Sequence, residues 1–233
     1  MMRQTVRSQL RRGCARALAV VLAMAALVLL APSGPMRAAA DEAGRFDYYV
    51  LSLSWSPSYC ARAGRSADPM QCRTTRPFRF VLHGLWPQYE RGYPEFCRND
   101  YGRDLSHRTV DGMLDIMPSR GLVRHQWRKH GSCSGLSPEA YFDLSRKALQ
   151  KLRIPAAFTN LEAGGRVAPD AVETAFRLAN PGLRDNAIAV TCEAGRLSEV
   201  RVCFTRDLQF RSCRWVDRRG CTQRQINVPA PGR

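Results

Sequence analysis

The spacing of the cysteines constrains what this chain can fold into more than any other feature of its sequence. The chain has nine cysteines in 233 residues, and only Cys14 lies in the first 50. The other eight are Cys60, Cys72, Cys97, Cys133, Cys192, Cys203, Cys213 and Cys221. If the domain is exported, this even number of cysteines predicts a framework of four disulfide bonds, although sequence alone permits about a hundred ways of pairing them. Because no two cysteines form a CxxC pair, a zinc ribbon and a thioredoxin-like redox site are not expected.

The first 40 residues have the composition of a secretory signal peptide. Five arginines precede an apolar run of 15 residues, 17–31, and three alanines, 38–40, offer a cleavage site before Asp41. The run is too short to span a membrane comfortably, and no other stretch approaches the length of a span. We therefore predict a signal peptide over residues 1–40 and one mature domain over residues 41–233. This domain is expected to be exported to the periplasm or the medium and not to be held in a membrane.

The predicted mature domain is strongly basic. The whole chain has a formal charge of +16, and removing the six arginines of the signal segment leaves +10. So basic a domain suggests a polyanionic partner such as nucleic acid, although solubility alone is the simpler explanation. Its 193 residues suit one domain with a sizeable core.

Helical and strand patterns are segregated along the chain and do not strictly alternate, which predicts the α+β class. Alternating, β-branched and aromatic stretches predict strands at 46–55, 78–83, 187–192, 197–204 and 209–215. Apolar periodicity and capping residues predict helices at 106–117, 122–130, 137–153 and 169–179. Two stretches, 56–72 and 84–104, are expected to be loops, and the first would be closed if Cys60 pairs with Cys72.

The stretch 121–135 is the first candidate for a functional site. On a helix, two adjoining pairs of side chains would share one face, namely His125 with Lys129 and Gln126 with His130. Trp127 falls on the other side, where it can anchor the helix to a core, and Gly131 is expected to end the helix. The stretch contains arginines but no acidic residue, so this face suits an anion and is poorly suited to a divalent metal. A single histidine on a helix is usually structural, but two histidines and a lysine on one face favour an anion site.

The second candidate is His83. The alternating segment 78–83 predicts a strand that delivers His83 at its end, a position where site residues often lie. A lone histidine there is more often structural, but the chain has only four histidines, and the remaining one, His107, has no polar neighbours and is expected at the surface. In the following loop, Trp86 and Tyr93 are either exposed platforms for a base or ordinary packing residues.

Two segments of the chain resemble the active-site segments of the ribonuclease T2 family. Residues 80–87, FVLHGLWP, are similar to the first, and residues 125–133, HQWRKHGSC, are similar to the second, which usually reads H-E-W-x-K-H-G-x-C. The opening stretch 48–60 and the C-terminal cysteine pattern also fit, so the resemblance covers almost the whole mature chain. It implies a single α+β domain with a central antiparallel sheet flanked by helices, and we expect a monomer.

The resemblance also implies cleavage of RNA by transphosphorylation, without a metal or another cofactor. The 2′-hydroxyl of the RNA attacks the adjacent phosphorus, and the 2′,3′-cyclic phosphate that forms is later hydrolysed to a 3′-phosphate. Carried over by motif position, His130 would take the proton of the 2′-hydroxyl and His83 would protonate the leaving 5′-oxygen. Lys129 would stabilise the charge of the transition state. An in-line displacement needs its acid and its base on opposite sides of the phosphorus, which suits one residue on a strand and one on a helix.

The family resemblance assigns substrate binding to further residues. His125 would hold the phosphate and Trp86 would help to form the first base site, to which we add Tyr93 as a candidate. The base preference is left open, because Gln88 and Tyr93 are only candidates for it.

The resemblance further implies a pattern of disulfides. The implied pairs are Cys60–Cys72, Cys97–Cys133, Cys192–Cys221 and Cys203–Cys213. Of these, the bond between Cys97 and Cys133 would tie the loop after His83 to the end of the histidine-bearing helix. It would thereby fix the proposed acid relative to the proposed base.

Gln126 departs from the family pattern, which has glutamate at this position. Glutamine keeps the shape and the hydrogen-bonding head but loses the charge and the ability to exchange a proton. Its NH₂ group could donate to a phosphoryl oxygen, so we expect reduced or differently tuned catalysis. Gln126 also supports a rival hypothesis, an RNA-binding protein without turnover on the same fold. Two further rivals are a disulfide-rich basic protein that acts on anionic surfaces and, last, a metal hydrolase.

Overall fold

One mixed sheet forms the centre of the fold. It has six strands within residues 41–232, the part of the chain that this computed structural model describes. They are β1 Tyr48–Trp55, β2 Phe80–Gln88, β3 Gly165–Val167, β4 Ile188–Glu193, β5 Arg196–Phe204 and β6 Ile226–Val228. The predicted signal peptide, residues 1–40, lies outside the described residues.

The pairing within the sheet is antiparallel except at one point. β1 pairs with β2 on one side and with β5 on the other. β4 also pairs with β5, which follows it directly in the chain. β6 runs parallel to β5, where Arg196 lies opposite Asn227, and β3 pairs antiparallel with β6. β2 is therefore an edge strand, and β1 separates it from β5.

Helices flank this sheet, which confirms the predicted α+β class. They are α1 Ser56–Ala63, α2 Pro69–Cys72, α3 His107–Asp111, α4 Arg120–Lys129, α5 Pro138–Lys151, α6 Ala156–Thr159, α7 Pro169–Ala179 and α8 Arg214–Asp217. Serine caps begin two of the longer ones, because the side chain of Ser119 accepts from the backbone N–H of Leu122, and that of Ser137 accepts from Ala140. None of the helices within residues 41–232 is long and apolar enough to cross a membrane.

The side chains of β1 alternate between two apolar clusters. Leu51 and Trp55 face the larger cluster, where they are buried together with Trp127 of α4. Tyr48 and Val50 face the smaller cluster, against which Trp86 packs. Complete burial of each such apolar side chain contributes about 1.5–3 kcal/mol. The helix that carries the candidate residues is thus anchored to the core through Trp127, as its position on the helix predicts.

The prediction of a loop at 56–72 is wrong. This stretch forms α1 and α2, joined by one 3-10 turn, Gly64–Ser66. Each helix has a proline in its first turn, where the missing N–H costs nothing. Both are short, and their buried residues, Ser56, Ser58 and Gln71, are polar, so they lack the apolar periodicity by which a helix is recognised in a sequence.

The C-terminal part also differs from its prediction. The expected strand at 209–215 is absent among the described residues, apart from an isolated bridge between Phe204 and Phe210, and α8 begins at Arg214. The backbone N–H of Cys213 donates to the carbonyl of Asn186, so this segment turns away from the sheet. The expected helix at 106–117 ends at Asp111 and continues as turns. The strands β3 and β6, at three residues each, are too short to show an alternating pattern.

Four disulfide bonds are present among the described residues. They join Cys60 to Cys72, Cys97 to Cys133, Cys192 to Cys221 and Cys203 to Cys213. These are the pairs that the family resemblance implies. The bond from Cys97 to Cys133 closes a sequence separation of 36 residues. It connects the loop after β2 to the segment that follows α4, and an unstrained link of this length stabilises a domain by on the order of 3–4 kcal/mol.

Candidate active site

His83 lies inside strand β2, and its position there is irregular. Ser52 of β1 pairs with Gly84, whereas the next residue, Leu53, pairs with Leu82, so His83 is the extra residue of a β-bulge. A bulge re-aims the side chain of the unpaired residue, and bulges are common beside active sites. The prediction that His83 ends its strand is wrong, because β2 continues to Gln88. The strand can include Pro87 since β2 is an edge strand, where a missing N–H is tolerated.

One cavity of about 580 Å³ brings the predicted site residues together. His83, Trp86 and Tyr93 come from β2 and the loop after it. The residues from α4 and its end are His125, Gln126, Lys129 and His130. The helix face that the sequence predicts is therefore the face that lines this cavity. His107, by contrast, is exposed on the surface, as expected.

The side chain of His83 contacts a buried carboxylate that the sequence analysis did not single out. His83 Nδ1 is hydrogen bonded to Oε1 of Glu199, which lies on β5 and is only 8% exposed. The other oxygen, Oε2, accepts from Arg201 Nε at 2.9 Å and Nη2 at 2.6 Å. Burial alone would raise the pKa of Glu199, but the hydrogen bond from His83 and the charges of His83 and Arg201 outweigh it and lower the pKa to about 2. In the sequence, the charged residues Glu199 and Arg201 interrupt the apolar pattern of β5. This interruption was the one signal that could have pointed to Glu199.

His130 is the most enclosed histidine of the site. It is 7% exposed, and burial together with the positive charges of Lys129, His83 and His125 lowers its pKa to about 3. Its ring stacks on that of Trp86, with centroids 5.1 Å apart and planes inclined by 29°. At neutral pH the imidazole is therefore uncharged and able to accept a proton.

Lys129 is the cation nearest to His130 in the chain. Its Nζ lies 3.3 Å from Oε2 of Glu95, which the loop after β2 contributes. The same atom lies 5.8 Å from the ring centroid of Tyr93 and 6.0 Å from that of Phe96. Since Glu95 is largely exposed, this ion pair is weak, and the lysine stays available to an anion in the cavity.

His125 lies one helical turn before Lys129. Its burial and the charge of Lys129 lower the pKa of its imidazole.

Gln126 is locked in one orientation by Trp86. Its side chain is buried, and Oε1 accepts a hydrogen bond of 2.7 Å from the indole Nε1 of Trp86. Because the indole can only donate, the amide oxygen is the accepting atom, and Nε2 remains as the donor. Gly84 makes room for this bond, since a Cβ there would lie 2.1 Å from Gln126 Oε1 and 2.4 Å from Trp86 Nε1.

Gly131 follows α4 but does not end it as a left-handed cap. Its φ is not positive, and the chain continues into the 3-10 turn Gly131–Cys133. A Cβ at this position would lie 2.6 Å from the ring of Trp127 and 2.8 Å from that of Tyr141. The glycine is therefore required by the close packing of the helix end and not by its backbone conformation.

The cavity has further lining residues from both halves of the chain. They are Val50, Gln88 and Gly92, and, from the C-terminal part, Arg201, Trp215, Val216 and Arg219. The Arg201 guanidinium lies 5.3 Å from the ring centroid of Trp86, and that of Arg219 lies 3.5 Å from the ring of Trp215. Arg201 and Arg219 therefore add two cations to a lining that already contains Lys129. Within residues 41–232, no group of three or more His, Cys, Asp or Glu side chains is arranged to hold a metal ion.

Comparison with protein-family models matches residues 46–213 to the Ribonuclease T2 family. The chain belongs to this family. Among curated relatives, a ribonuclease of Aeromonas hydrophila is 47% identical over 117 residues, which cover 50% of this chain and 51% of the relative. Ribonuclease I of Escherichia coli is 27% identical, with 72% of this chain and 78% of the relative covered. The chain thus spans about half the length of the Aeromonas relative.

Two solved structures share the fold of this chain. An RNase-related protein from Calystegia sepium superposes with a TM-score of 0.65 at 18% identity, covering 81% of this chain and 99% of that protein. Trichomaglin, described as a novel S-like ribonuclease, also gives 0.65, at 22% identity, with 81% and 100% covered. At these identities the likeness concerns the α+β fold alone.

Proposed function

We propose that this protein is a cofactor-independent endoribonuclease that cleaves RNA through a 2′,3′-cyclic phosphate. The observation that carries the proposal is the placement of His83 and His130. One lies on a strand and the other at a helix end, both line one cavity, and their neighbours differ in charge. His130 is buried among cations and stays neutral, whereas His83 is bound to a carboxylate. Such a pair suits a base and an acid that act on opposite sides of a phosphorus.

In the proposed first step, His130 accepts the proton of the 2′-hydroxyl as O2′ forms its bond to phosphorus. The bond from phosphorus to O5′ breaks, and His83 donates a proton to the departing O5′. The products are one strand with a 2′,3′-cyclic phosphate and one with a free 5′-hydroxyl. Hydrolysis of the cyclic ester then reverses the proton transfers, with water in place of O5′, and leaves a 3′-phosphate. DNA would not be cleaved, because it lacks the attacking 2′-hydroxyl.

The charge that develops on the phosphoryl oxygens would be stabilised from α4. Lys129 would supply a cation and His125 would hold the phosphate, since both line the cavity. Gln126 cannot act as a proton carrier, but its Nε2 is the free donor of a side chain already held by Trp86. Preorganised donors of this kind are effective because they need no rearrangement during the reaction. Each well-placed acid or base contributes typically about 10²–10⁴-fold to the rate.

The first base would lie against Trp86 and Tyr93. Tyr93 is 47% exposed, and its ring lies 6.0 Å from that of His130, so the aromatic surface continues from the reacting centre towards solvent. Stacking on such rings is worth about 1–3 kcal/mol per base and is tolerant of sequence.

Export of the protein is part of the same proposal, since four disulfides require an oxidising compartment.

The second candidate function is an RNA-binding protein without turnover, and Gln126 is the observation that favours it. The two functions are separated by incubating the protein, residues 41–233, with a defined RNA in EDTA and analysing the termini of the products. Two variants accompany it, His130→Ala and Gln126→Glu. Cleavage that produces cyclic phosphate ends, and that falls by about 10²-fold or more in His130→Ala, is the result we expect.

Two results would contradict the proposal of an active enzyme. If the parent does not cleave RNA but Gln126→Glu does, the protein is an RNA-binding protein that shares the fold and has lost catalysis. Cleavage that depends on an added metal ion and is insensitive to His130→Ala would place the chemistry elsewhere.

We expect Gln126→Glu to raise the rate of cleavage, or to shift the pH dependence of that rate, because it adds a group that exchanges protons.

A further inference from the structure

The proposed mechanism assigns no role to Glu199, although its side chain contacts His83, the proposed acid. Its carboxylate is 8% exposed and is shared between His83 and Arg201. Burial of an ionised carboxylate is costly unless it is paired and hydrogen bonded. Here both oxygens are used, Oε1 by the imidazole and Oε2 by two guanidinium nitrogens. Arg201 therefore holds the carboxylate in its charged form beside His83.

The charge of Glu199 determines which nitrogen of His83 carries the exchangeable proton. A carboxylate can only accept hydrogen bonds, so the Nδ1 that faces it must be protonated. This holds whether the ring is neutral or charged. The proton that the ring gains and loses is consequently the one on Nε2.

The sheet is built so that these two side chains can meet. His83 lies on β2 and Glu199 on β5, with β1 between them. On β1, Ser52 lies opposite Arg201 and Ser54 lies opposite Glu199. Because these residues of β1 are small, the long side chains from the neighbouring strands can bridge across it. The bulge at His83 and the ring of Trp86 also confine the imidazole, since the two ring centroids lie 5.2 Å apart with planes inclined by 79°.

We infer that Glu199 is a positioning residue for His83, which fixes the ring with Nε2 towards the leaving oxygen and stabilises the imidazolium that donates the proton. The inference rests on the proposed function. During cleavage the Nε2 proton moves to O5′ as the phosphorus–O5′ bond breaks, and Glu199 remains a carboxylate throughout. A buried carboxylate that orients a histidine without taking its proton is a known arrangement in acid–base catalysis.

The test uses two substrates that differ in their need for an acid. One is a dinucleoside phosphate, whose 5′-oxygen leaves as a basic alkoxide and requires a proton. The other is a ribonucleoside 3′-(4-nitrophenyl phosphate), whose phenolate leaves without one. The steady-state constants kcat and KM are measured for wild type, Glu199→Gln and His83→Ala, with thermal unfolding of each variant. Glu173→Gln is the matched control, because Glu173 is a half-buried glutamate on α7 whose carboxylate accepts from the backbone of Val190.

In Glu199→Gln we expect kcat for the dinucleoside phosphate to fall by about 10–100-fold, a part of the effect of losing the acid altogether. KM should change little, and turnover of the nitrophenyl ester should stay within about threefold, since that reaction does not use the acid. Glu173→Gln should behave as wild type with both substrates. Equal losses on the two substrates, or no loss on either, would overturn the role of Glu199.

His83→Ala separates this inference from the function on which it rests. If this variant also loses activity on both substrates equally, His83 is not the acid and the proposed mechanism fails. If His83→Ala loses activity only on the dinucleoside phosphate, and Glu199→Gln keeps its activity on that substrate, the proposed mechanism stands but the role of Glu199 is wrong. Should Glu199→Gln fail to fold, Glu199→Asp is measured in its place. It keeps the charge but shortens the side chain, and its loss must again be confined to the dinucleoside phosphate.

Discussion

Replacing Gly84 with alanine is expected to destabilise the protein and to impair the site together. The added Cβ would lie 2.1 Å from Gln126 Oε1 and 2.4 Å from Trp86 Nε1, closer than unbonded atoms can approach. One of these side chains must move, and the hydrogen bond of 2.7 Å between them breaks. Since Gln126 is buried in a packed helix, the strain cannot be relieved by a free rotation into solvent.

The magnitude follows from two contributions. Overpacking of a well-packed site costs about 1–3 kcal/mol. Leaving a buried donor or acceptor unpaired costs about 1–3 kcal/mol more. We therefore expect the free energy of unfolding to fall by roughly 2–6 kcal/mol. For a domain of this size, that corresponds to a decrease in Tm of roughly 4–24 °C.

The matched control is Gly165→Ala in strand β3. No atom lies within 4 Å of the position that its Cβ would occupy and its φ is not positive, so a methyl group is accommodated there. Urea unfolding with the disulfides intact gives the stability of both variants, and RNA cleavage gives the activity. If Gly84→Ala unfolds at the same urea concentration as Gly165→Ala, the argument that Gly84 makes room for the Trp86–Gln126 bond is refuted.

Two further predictions concern pH and the disulfides. Because the folded protein keeps His130 neutral down to about pH 3 while an unfolded histidine titrates at 6.5, stability should fall by roughly 2–4 kcal/mol as the pH decreases through this window. Urea midpoints measured against pH should fall less steeply in His130→Asn, and an unchanged slope would contradict this. Removing the Cys97–Cys133 bond with serines should cost on the order of 3–4 kcal/mol and reduce RNA cleavage. Removing Cys60–Cys72 in the same way should lower stability but spare activity, and equal losses of activity would argue against a role for the first bond in the site.

The elements with strong periodic patterns could be predicted from the sequence. Helix α7 has the predicted bounds, 169–179, and α4 begins two residues before its predicted start. The shared face of His125, Gln126, Lys129 and His130 follows from helical geometry alone, and this face lines the cavity. Local periodicity decides these features, so no tertiary contact was needed to find them.

Other elements depend on contacts that are distant in the chain. The stretch 209–215 has the composition of a strand, but the disulfide to Cys203 and the contact with Asn186 turn it away from the sheet. His83 was expected at a strand end, because Gly84 and Pro87 usually interrupt strands. The edge position of β2 and the bulge opposite β1 allow the strand to continue instead.

The α+β class, the helix face and the two histidines that the proposed chemistry requires follow from local patterns and motifs of the sequence. What surrounds those histidines depends on the folded chain. Glu199 is 116 residues from His83 in the chain and meets it across an intervening strand, and the burial that keeps His130 neutral, together with nearby cations, exists only after folding. The physical reason is that helical and strand periodicity are local, whereas burial and charge depend on neighbours that the folded sheet brings together.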